Sequence, residues 1–152
     1  MLPTLADVTH EQGPEDWPSH IRRMWDADRA SRSLGMRLVE VGPGRATVAM
    51  TVTGDMVNGH DVGHGGLTFA VADSAFAFAC NSHGPVTVAH SAEIRFRAPV
   101  RLGDDLVAAA VERTREGRRG VYDVQVHAAD TLVASFTGHA AELRTAPEGD
   151  VR

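Results

Sequence analysis

Apolar and polar residues alternate with a period of two in several segments of the chain, as they do in half-buried β-strands. The alternation is cleanest from Arg45 to Thr53, where Ala46 and every second residue after it are apolar. A shorter strand-like segment, Met36 to Val41, precedes it across the turn-forming sequence VGPGR, so the two predict a β-hairpin. Four further strand-like segments follow, at 86–97, 105–115, 121–128 and 131–144, with tight turns predicted at EGRRG and AAD.

Two segments instead have a helical pattern. The first is Trp17–Leu34, which ends before Gly35 and has as its predicted packing residues Ile21, Met24, Trp25 and Leu34. The second is Gly65–Ser82, which is apolar almost all round and must therefore be surrounded by other elements. The simplest way to surround it is a curved sheet. We therefore predict an α+β fold, with about six mostly antiparallel strands around one long buried helix and a short N-terminal helix.

Length and composition indicate one domain of ordinary size. The chain has 152 residues and we expect a single domain over 1–152, with an ordered core at about 17–144 and frayed ends. A net charge of −5 argues against broad nucleic-acid or membrane binding and favours a small partner. Cys80 is the one cysteine, and no signal or membrane-spanning segment is found, so we expect a cytoplasmic protein.

Asp73 is the residue that most clearly indicates a function. It is the only Asp, Glu, Lys or Arg between Val62 and Ala92, and it lies inside the apolar helix. Burial of a carboxylate without a partner is costly, so a carboxylate in such a place usually has a chemical role. The preceding sequence NGHDVGHGG (58–66) is a glycine-rich loop that leads into the helix, where free backbone N–H groups are expected.

The segment NGHDVGHGGLTFAVADSAFAFACNSHG resembles the signature of the hot-dog-fold acyl-CoA thioesterases, in particular the PaaI-type phenylacetate-degradation (hydroxyphenylacetyl-CoA) branch. The resemblance extends from about Met24 to Arg144 and is most specific over Asn58–Gly84. It implies the hot-dog fold and hydrolysis of acyl-CoA thioesters, with an aryl or hydroxyaryl acetyl group as the acyl part. It also implies a homodimer paired into a tetramer, and no metal or organic cofactor.

The resemblance also assigns roles to individual residues. Asp73 matches the carboxylate that activates water or attacks the thioester, and Gly65 matches the backbone N–H that stabilises the oxyanion. Asn58 and His64 match positions that orient the water or the thioester. Ser74, beside the aspartate, is a candidate helper.

One position in the third strand departs from the family pattern. Related human-type thioesterases carry a serine or threonine there that assists the aspartate, whereas this chain has Ala89. Ser91 is the substitute candidate, and His90 lies between the two. We include Ser91 and His90 among the candidate substrate-binding residues.

Two groups of arginines are candidates for the phosphates of coenzyme A, because a surface arginine pairs well with phosphate. One group surrounds Phe96 and includes Arg97, and the other is the segment ERTREGRRG, which includes Arg118. An ordinary solvated strand and hairpin tip would also account for them. Phe96 would then be either a core residue or a neighbour of the adenine.

Some of these residues also fit structural or metal-binding roles. Asp73 would be structural if it were bonded to Thr68, Asn81 or a backbone amide of a partner chain. His60 and His64 have the spacing of metal ligands on a helix, but they lie in a loop with no third ligand nearby. Cys80 fits the role of a small core residue better than that of a nucleophile.

Two other functions fit the same fold. One is a non-catalytic module that binds acyl-CoA, which would leave the buried Asp73 without a purpose. The other is a hot-dog hydratase or dehydratase, which would pair a carboxylate with a histidine on its characteristic loop, and that pattern is not found. Enzyme classes that require G-x-S-x-G or a Walker A motif are excluded, since neither motif occurs.

Overall fold

The structure is a computed structural model that describes residues 12–144. Residues 1–11 and 145–152, and with them most of the two ends predicted to be frayed, lie outside the described residues. Residues 14–16 form a single 3-10 turn, and the backbone N–H of Gln12 donates to the carbonyl of Val39 at 2.9 Å. No helix in the described part of the chain has the length and apolarity needed to cross a bilayer.

Six antiparallel strands form one sheet. Their bounds are β1 Arg37–Gly42, β2 Arg45–Thr51, β3 Thr87–Phe96, β4 Asp105–Glu116, β5 Arg119–Ala128 and β6 Thr131–Glu142. Their order across the sheet is β1-β2-β4-β5-β6-β3, and the sheet curves around the long helix. The predicted fold class is confirmed. β3 is an edge strand, paired along one side only with β6.

The first hairpin turns at the glycine-containing sequence where a turn is predicted. Gly44 has a φ of 69°, which glycine adopts without strain, and its carbonyl accepts from Glu112 N–H at 2.7 Å. The second predicted turn is shorter than expected. Only two residues separate β4 from β5, because cross-strand pairing continues to Glu116 and Arg119, whose opposite charges favour it.

The N-terminal helical segment is two helices rather than one. α1 is Ser19–Ala27 and α2 is Arg29–Ser33. Asp28 separates them because its carboxylate accepts from the Ser31 N–H at 2.9 Å and caps the second helix. The prediction of a single helix was therefore wrong at this point. The predicted packing residues do contact the core, with Ile21 fully buried and Trp25 partly buried.

The long helix, α3, is Gly65–Asn81 and packs against the sheet. Its deeply buried face includes Val71, Ala75 and Phe78. The expectation that it would be surrounded on all sides is not met within one chain. Gly66 is exposed, and a stripe of half-buried residues follows it at Ala70, Asp73 and Ala77. A helix with this pattern has one face left for a further partner.

Candidate functional site

The loop and helix start that the sequence singled out line a cleft of about 460 Å³. We call it the helix-start cleft. Its lining includes two of the four predicted catalytic residues and two of the predicted substrate-binding residues, together with apolar neighbours: Asn58, Gly65, Phe96, Arg97, Val62 and Pro99. Residues far apart in the sequence meet here, because β3 ends beside the beginning of α3.

The loop before α3 is held in place by its own hydrogen bonds. The side-chain Oδ1 of Asn58 accepts from the N–H groups of His60 (2.9 Å) and Val62 (3.3 Å). Gly63 N–H donates to the Val100 carbonyl at 2.7 Å. The Nδ2 amide of Asn58 has no acceptor among residues 12–144. Asn58 therefore uses its oxygen to shape the loop and retains two N–H donors for a ligand.

His64 is the N-cap of α3. Its Nδ1 accepts from Gly66 N–H at 3.0 Å, and its own N–H donates to the Met56 carbonyl at 2.7 Å. The contact with Gly66 requires an unprotonated Nδ1, so the neutral ring carries its proton on Nε2. His64 thus caps the helix through Nδ1 and has its Nε2–H available to donate to a ligand.

One N–H group remains unpaired at the start of α3. A helix leaves its first four N–H groups without intrahelical partners. Here His64 and Gly66 have the acceptors named above, and Leu67 N–H reaches the His64 carbonyl at 2.9 Å. Gly65 N–H is the one of the four that has no acceptor in the described part of the chain. It lines the helix-start cleft at the positive end of the helix dipole, where a developing negative charge is stabilised.

Gly65 is also held close to an aromatic ring. A β-carbon at this position would lie 3.1 Å from Cζ and 3.2 Å from Cε1 of Phe96, closer than carbon atoms normally pack. A side chain at this position would crowd the ring, so the close approach favours glycine, as expected of a residue whose backbone contacts a substrate.

Asp73 lies away from this cleft in its own chain. Eight residues at about 1.5 Å each place it roughly 12 Å along the helix from Gly65. It is half-buried, and desolvation by burial raises the pKa of its carboxyl above the usual value of 3.8. Within residues 12–144 it has neither a hydrogen bond nor an ion pair, so neither Thr68 nor Asn81 serves as a structural partner. Asn81, for example, donates to the carbonyls of Ala77 and Thr87.

The neighbour of Asp73 is engaged elsewhere. The hydroxyl of Ser74 lies 2.8 Å from that of Ser31, which donates to Asp28 at 2.6 Å. Since the Ser31 proton is committed to Asp28, Ser74 is the donor in the pair. Ser74 therefore ties α3 to α2, and in the single chain its proton is not available to a substrate.

His90 and Ser91, near the middle of β3, line a second recess of about 450 Å³. His90 is the extra residue of a bulge in the pairing of β3 with β6. The recess also includes Arg119 and His139. Arg119 belongs to the second predicted arginine group, whereas no role was predicted for His139, because only the pairing of β5, β6 and β3 brings it to the recess.

The predicted phosphate-binding arginines do not lie together in one chain. Arg97 lines the helix-start cleft, and its Nε donates to the Ser135 hydroxyl at 3.2 Å. Arg118 lies at the tip of the β4–β5 hairpin, next to the recess but not among its lining residues. Arg95 and Arg113 form ion pairs with Glu93 and Asp123.

Two further predictions concern metals and the cysteine. Among residues 12–144 no group of three or more His, Cys, Asp or Glu side chains is arranged to hold a metal ion. Cys80 is buried in α3, and burial raises the pKa of its thiol to about 12. A thiol with this pKa stays protonated and is a poor nucleophile, as expected of a core residue.

Comparison with known proteins adds a family to this geometry. Residues 60–135 match the family model of the Thioesterase superfamily. The acyl-coenzyme A thioesterase PaaI of Escherichia coli is 42% identical over 121 residues, which cover 79% of this chain and 86% of that protein. Human acyl-coenzyme A thioesterase 13 is 33% identical over 93 residues, covering 59% of this chain and 66% of its own length.

Solved structures show the same similarity. The PaaI protein from the phenylacetic acid degradation operon of Escherichia coli superposes with a TM-score of 0.80 at 38% identity, covering 83% of this chain and 96% of that one. An asparagine-to-aspartate mutant of the phenylacetic acid degradation protein PaaI from Thermus thermophilus superposes with a TM-score of 0.74 at 39% identity. It covers 76% of this chain and all of the other.

Proposed function

Because the chain belongs to the Thioesterase superfamily, and within it to the PaaI-type acyl-CoA thioesterases of the hot-dog fold, we propose that it hydrolyses acyl-CoA thioesters to the free acid and coenzyme A. An aryl or hydroxyaryl acetyl group is the proposed acyl part. The observation that carries the proposal is the unpaired Gly65 N–H, which opens into a cleft beside the free amide of Asn58. Two donors directed at one cleft suit the carbonyl oxygen of a thioester.

The proposal includes a two-fold dimer whose subunits share the site. β3 is an edge strand of ten residues without proline, and all of its residues except Thr87 and Ile94 are exposed. Such an edge readily pairs with another strand. α3 also leaves a stripe open, and a second copy of the chain would cover both features.

Two-fold symmetry brings the separate halves of the site together. Two β3 strands paired about a two-fold axis are antiparallel. The end of β3 that carries Phe96 in one subunit would then lie beside His90 and Ser91 of the partner subunit. Both α3 helices would lie on one face of a continuous sheet, with Asp73 of the partner subunit near the helix-start cleft. This arrangement accounts for the distance of about 12 Å between Asp73 and Gly65 within one chain.

In the proposed reaction, Gly65 N–H donates to the thioester carbonyl oxygen as that oxygen gains negative charge. Asp73 of the partner subunit takes a proton from a water whose oxygen attacks the carbonyl carbon, or it attacks that carbon itself and forms an anhydride that water hydrolyses. In the first route the carbon–sulfur bond breaks as the tetrahedral intermediate collapses to the free acid, and in the second it breaks as the anhydride forms, before water hydrolyses that anhydride. In both routes coenzyme A leaves as a thiolate, which takes up a proton. Asn58 and His64 orient the thioester or the water.

The recess lined by His90 and Ser91 is the proposed place for the nucleotide end of coenzyme A. In the dimer it would lie beside Arg97 of the other subunit, with Arg118 at its rim. These arginines contribute to the proposal through their charge, since phosphate attracts guanidinium groups even at a partly exposed site. Pairing of two such dimers into a tetramer and a cytoplasmic location remain predictions.

The test is a thiol-release assay over a panel of acyl-CoA thioesters, with wild-type protein and Asp73→Asn. The amide keeps the size of the side chain but provides neither a base nor a nucleophile, so we expect kcat to fall about 10²- to 10⁴-fold. Asp130→Asn, at an exposed turn, is the control and should retain wild-type activity.

Two results would contradict the proposal. If Asp73→Asn kept the wild-type kcat on the best substrate, the assignment of Asp73 would be wrong. If the wild-type protein bound acyl-CoA but released no thiol, the non-catalytic binding module would be the better description.

A further inference from the structure

The position of Phe96 identifies which part of a bound substrate its ring contacts. Phe96 is the last residue of β3, and Cζ and Cε1 of its ring abut the backbone of Gly65. The side chain nevertheless remains 58% exposed, so it is not a core residue. One edge of its ring lies against the start of α3, while part of the ring is open to the helix-start cleft.

The contact with Gly65 excludes an adenine neighbour. If Gly65 N–H holds the carbonyl oxygen at a hydrogen-bond distance of about 3 Å, atoms near Phe96 belong to the reacting end of the molecule. These atoms are the first carbons of the acyl group and the thioester sulfur. The adenine is separated from them by the whole pantetheine arm, so Phe96 touches the acyl end of the substrate.

The other walls near Phe96 favour the acyl group over the pantetheine arm. Val62, Ala98, Pro99 and Val100 line the same cleft and present apolar side chains. The pantetheine arm contains two amides that need hydrogen-bond partners when they are desolvated. An aryl acyl group needs none and gains from an apolar wall that includes an aromatic ring.

We infer that Phe96 determines acyl-group specificity by packing its ring against an aromatic acyl group whose carbonyl is held by Gly65. The inference rests on the proposed thioesterase function and adds to it the residue that selects the acyl group. Aromatic rings prefer edge-to-face or offset contacts, and such a pair adds to the gain from burial of apolar area. The ring of Phe96 should therefore distinguish a planar aromatic group from a saturated ring of similar size.

The experiment compares phenylacetyl-CoA with cyclohexylacetyl-CoA in wild-type protein, Phe96→Leu and Phe96→Tyr. Leucine keeps an apolar side chain but removes the aromatic ring, whereas tyrosine keeps the ring. The quantity compared is the kcat/KM for phenylacetyl-CoA divided by the kcat/KM for cyclohexylacetyl-CoA. We expect Phe96→Leu to lower this ratio about three- to tenfold. Phe96→Tyr should keep the ratio within about twofold of wild type.

Leu102→Ala is the matched control, because Leu102 is an apolar residue of similar exposure that does not line the cleft. It should leave the ratio unchanged. Circular dichroism and thermal melting check that each variant is folded, which is expected because Phe96 is largely exposed.

The possible outcomes separate this inference from the function on which it rests. Wild-type turnover with the same substrate ratio in Phe96→Leu overturns the role of Phe96 and leaves the thioesterase function intact. A wild-type protein that hydrolyses neither these nor any other acyl-CoA overturns both. A ratio that is lower in Phe96→Leu but stays near the wild-type value in Phe96→Tyr supports the aromatic contact.

Discussion

Gly65→Ala tests the proposed oxyanion donor through one contact. A β-carbon at this position would lie 3.1, 3.2 and 3.7 Å from three ring carbons of Phe96, whereas carbon atoms pack best at about 3.5–4.0 Å. Gly65 does not have a positive φ, so alanine is compatible with the backbone. The substitution therefore acts by pushing the ring and the start of α3 apart by a few tenths of an ångström.

The size of this displacement sets the expected effect. Complete loss of an oxyanion donor costs about 10²- to 10³-fold in kcat, and a misplacement of about 1 Å costs about 10²-fold. A shift of a few tenths of an ångström should therefore lower kcat roughly tenfold, with KM changed less than about threefold. Overpacking costs about 1–3 kcal/mol in a rigid core. The cost should be smaller here, because Phe96 is exposed and its ring is free to move.

The assay is thiol release from hexanoyl-CoA, whose acyl group is not aromatic and therefore makes no ring–ring contact with Phe96. Gly59→Ala is the control, because a β-carbon at Gly59, in the same loop, would have no atom within 4 Å. It should behave as wild type. The double variant Gly65→Ala/Phe96→Leu removes the obstructing ring and should recover most of the lost kcat.

Either of two results would refute this reasoning. Wild-type kcat in Gly65→Ala would show that the position of this N–H does not limit the reaction. If kcat falls in Gly65→Ala and adding Phe96→Leu does not restore it, the loss of kcat has a cause other than the contact with Phe96.

Three further predictions concern pH, subunit sharing and coenzyme recognition. Burial raises the pKa of Asp73 above 3.8, so kcat/KM should increase with pH through a carboxyl step above 3.8 that Asp73→Asn lacks. The protonated carboxyl stabilises the fold below the unfolded-state pKa, and this contribution is lost as pH rises through the folded-state pKa. Thermal melts at pH 7 should therefore show Asp73→Asn to be at least as stable as wild type. Mixing inactive Asp73→Asn with inactive Asn58→Ala should restore part of the activity after subunit exchange, and no recovery would count against a shared site. Neutralising Arg97 or Arg118 should raise KM for the full CoA thioester more than it lowers kcat, and KM should also rise with salt; a pantetheine thioester should show little of either effect. Arg22→Gln, on α1, is the control, and equal effects on both substrates would refute phosphate binding by these arginines.

Neighbouring residues in the sequence determined several elements of this fold. The apolar segment that became α3, the alternation of β2 and the turn at Gly44 depend on near neighbours in the chain, so their elements were predicted to within a few residues. The glycine loop and Asp73 were also recognisable from sequence. A lone carboxylate in an apolar helix is unusual in any fold.

The tertiary structure decided what no local pattern specifies. The long helix between β2 and β3 allows β3 to join the sheet at the far side, beside β6, where Phe96 reaches the start of α3. The same order separates Arg97 from Arg118 and leaves Asp73 away from the cleft. A side-chain cap at Asp28 divides the N-terminal helix, in a segment where alanines are the only apolar residues between Trp25 and Leu34. Strand order and the contacts between distant segments depend on which surfaces bury each other best, and this is a property of the whole chain rather than of any segment.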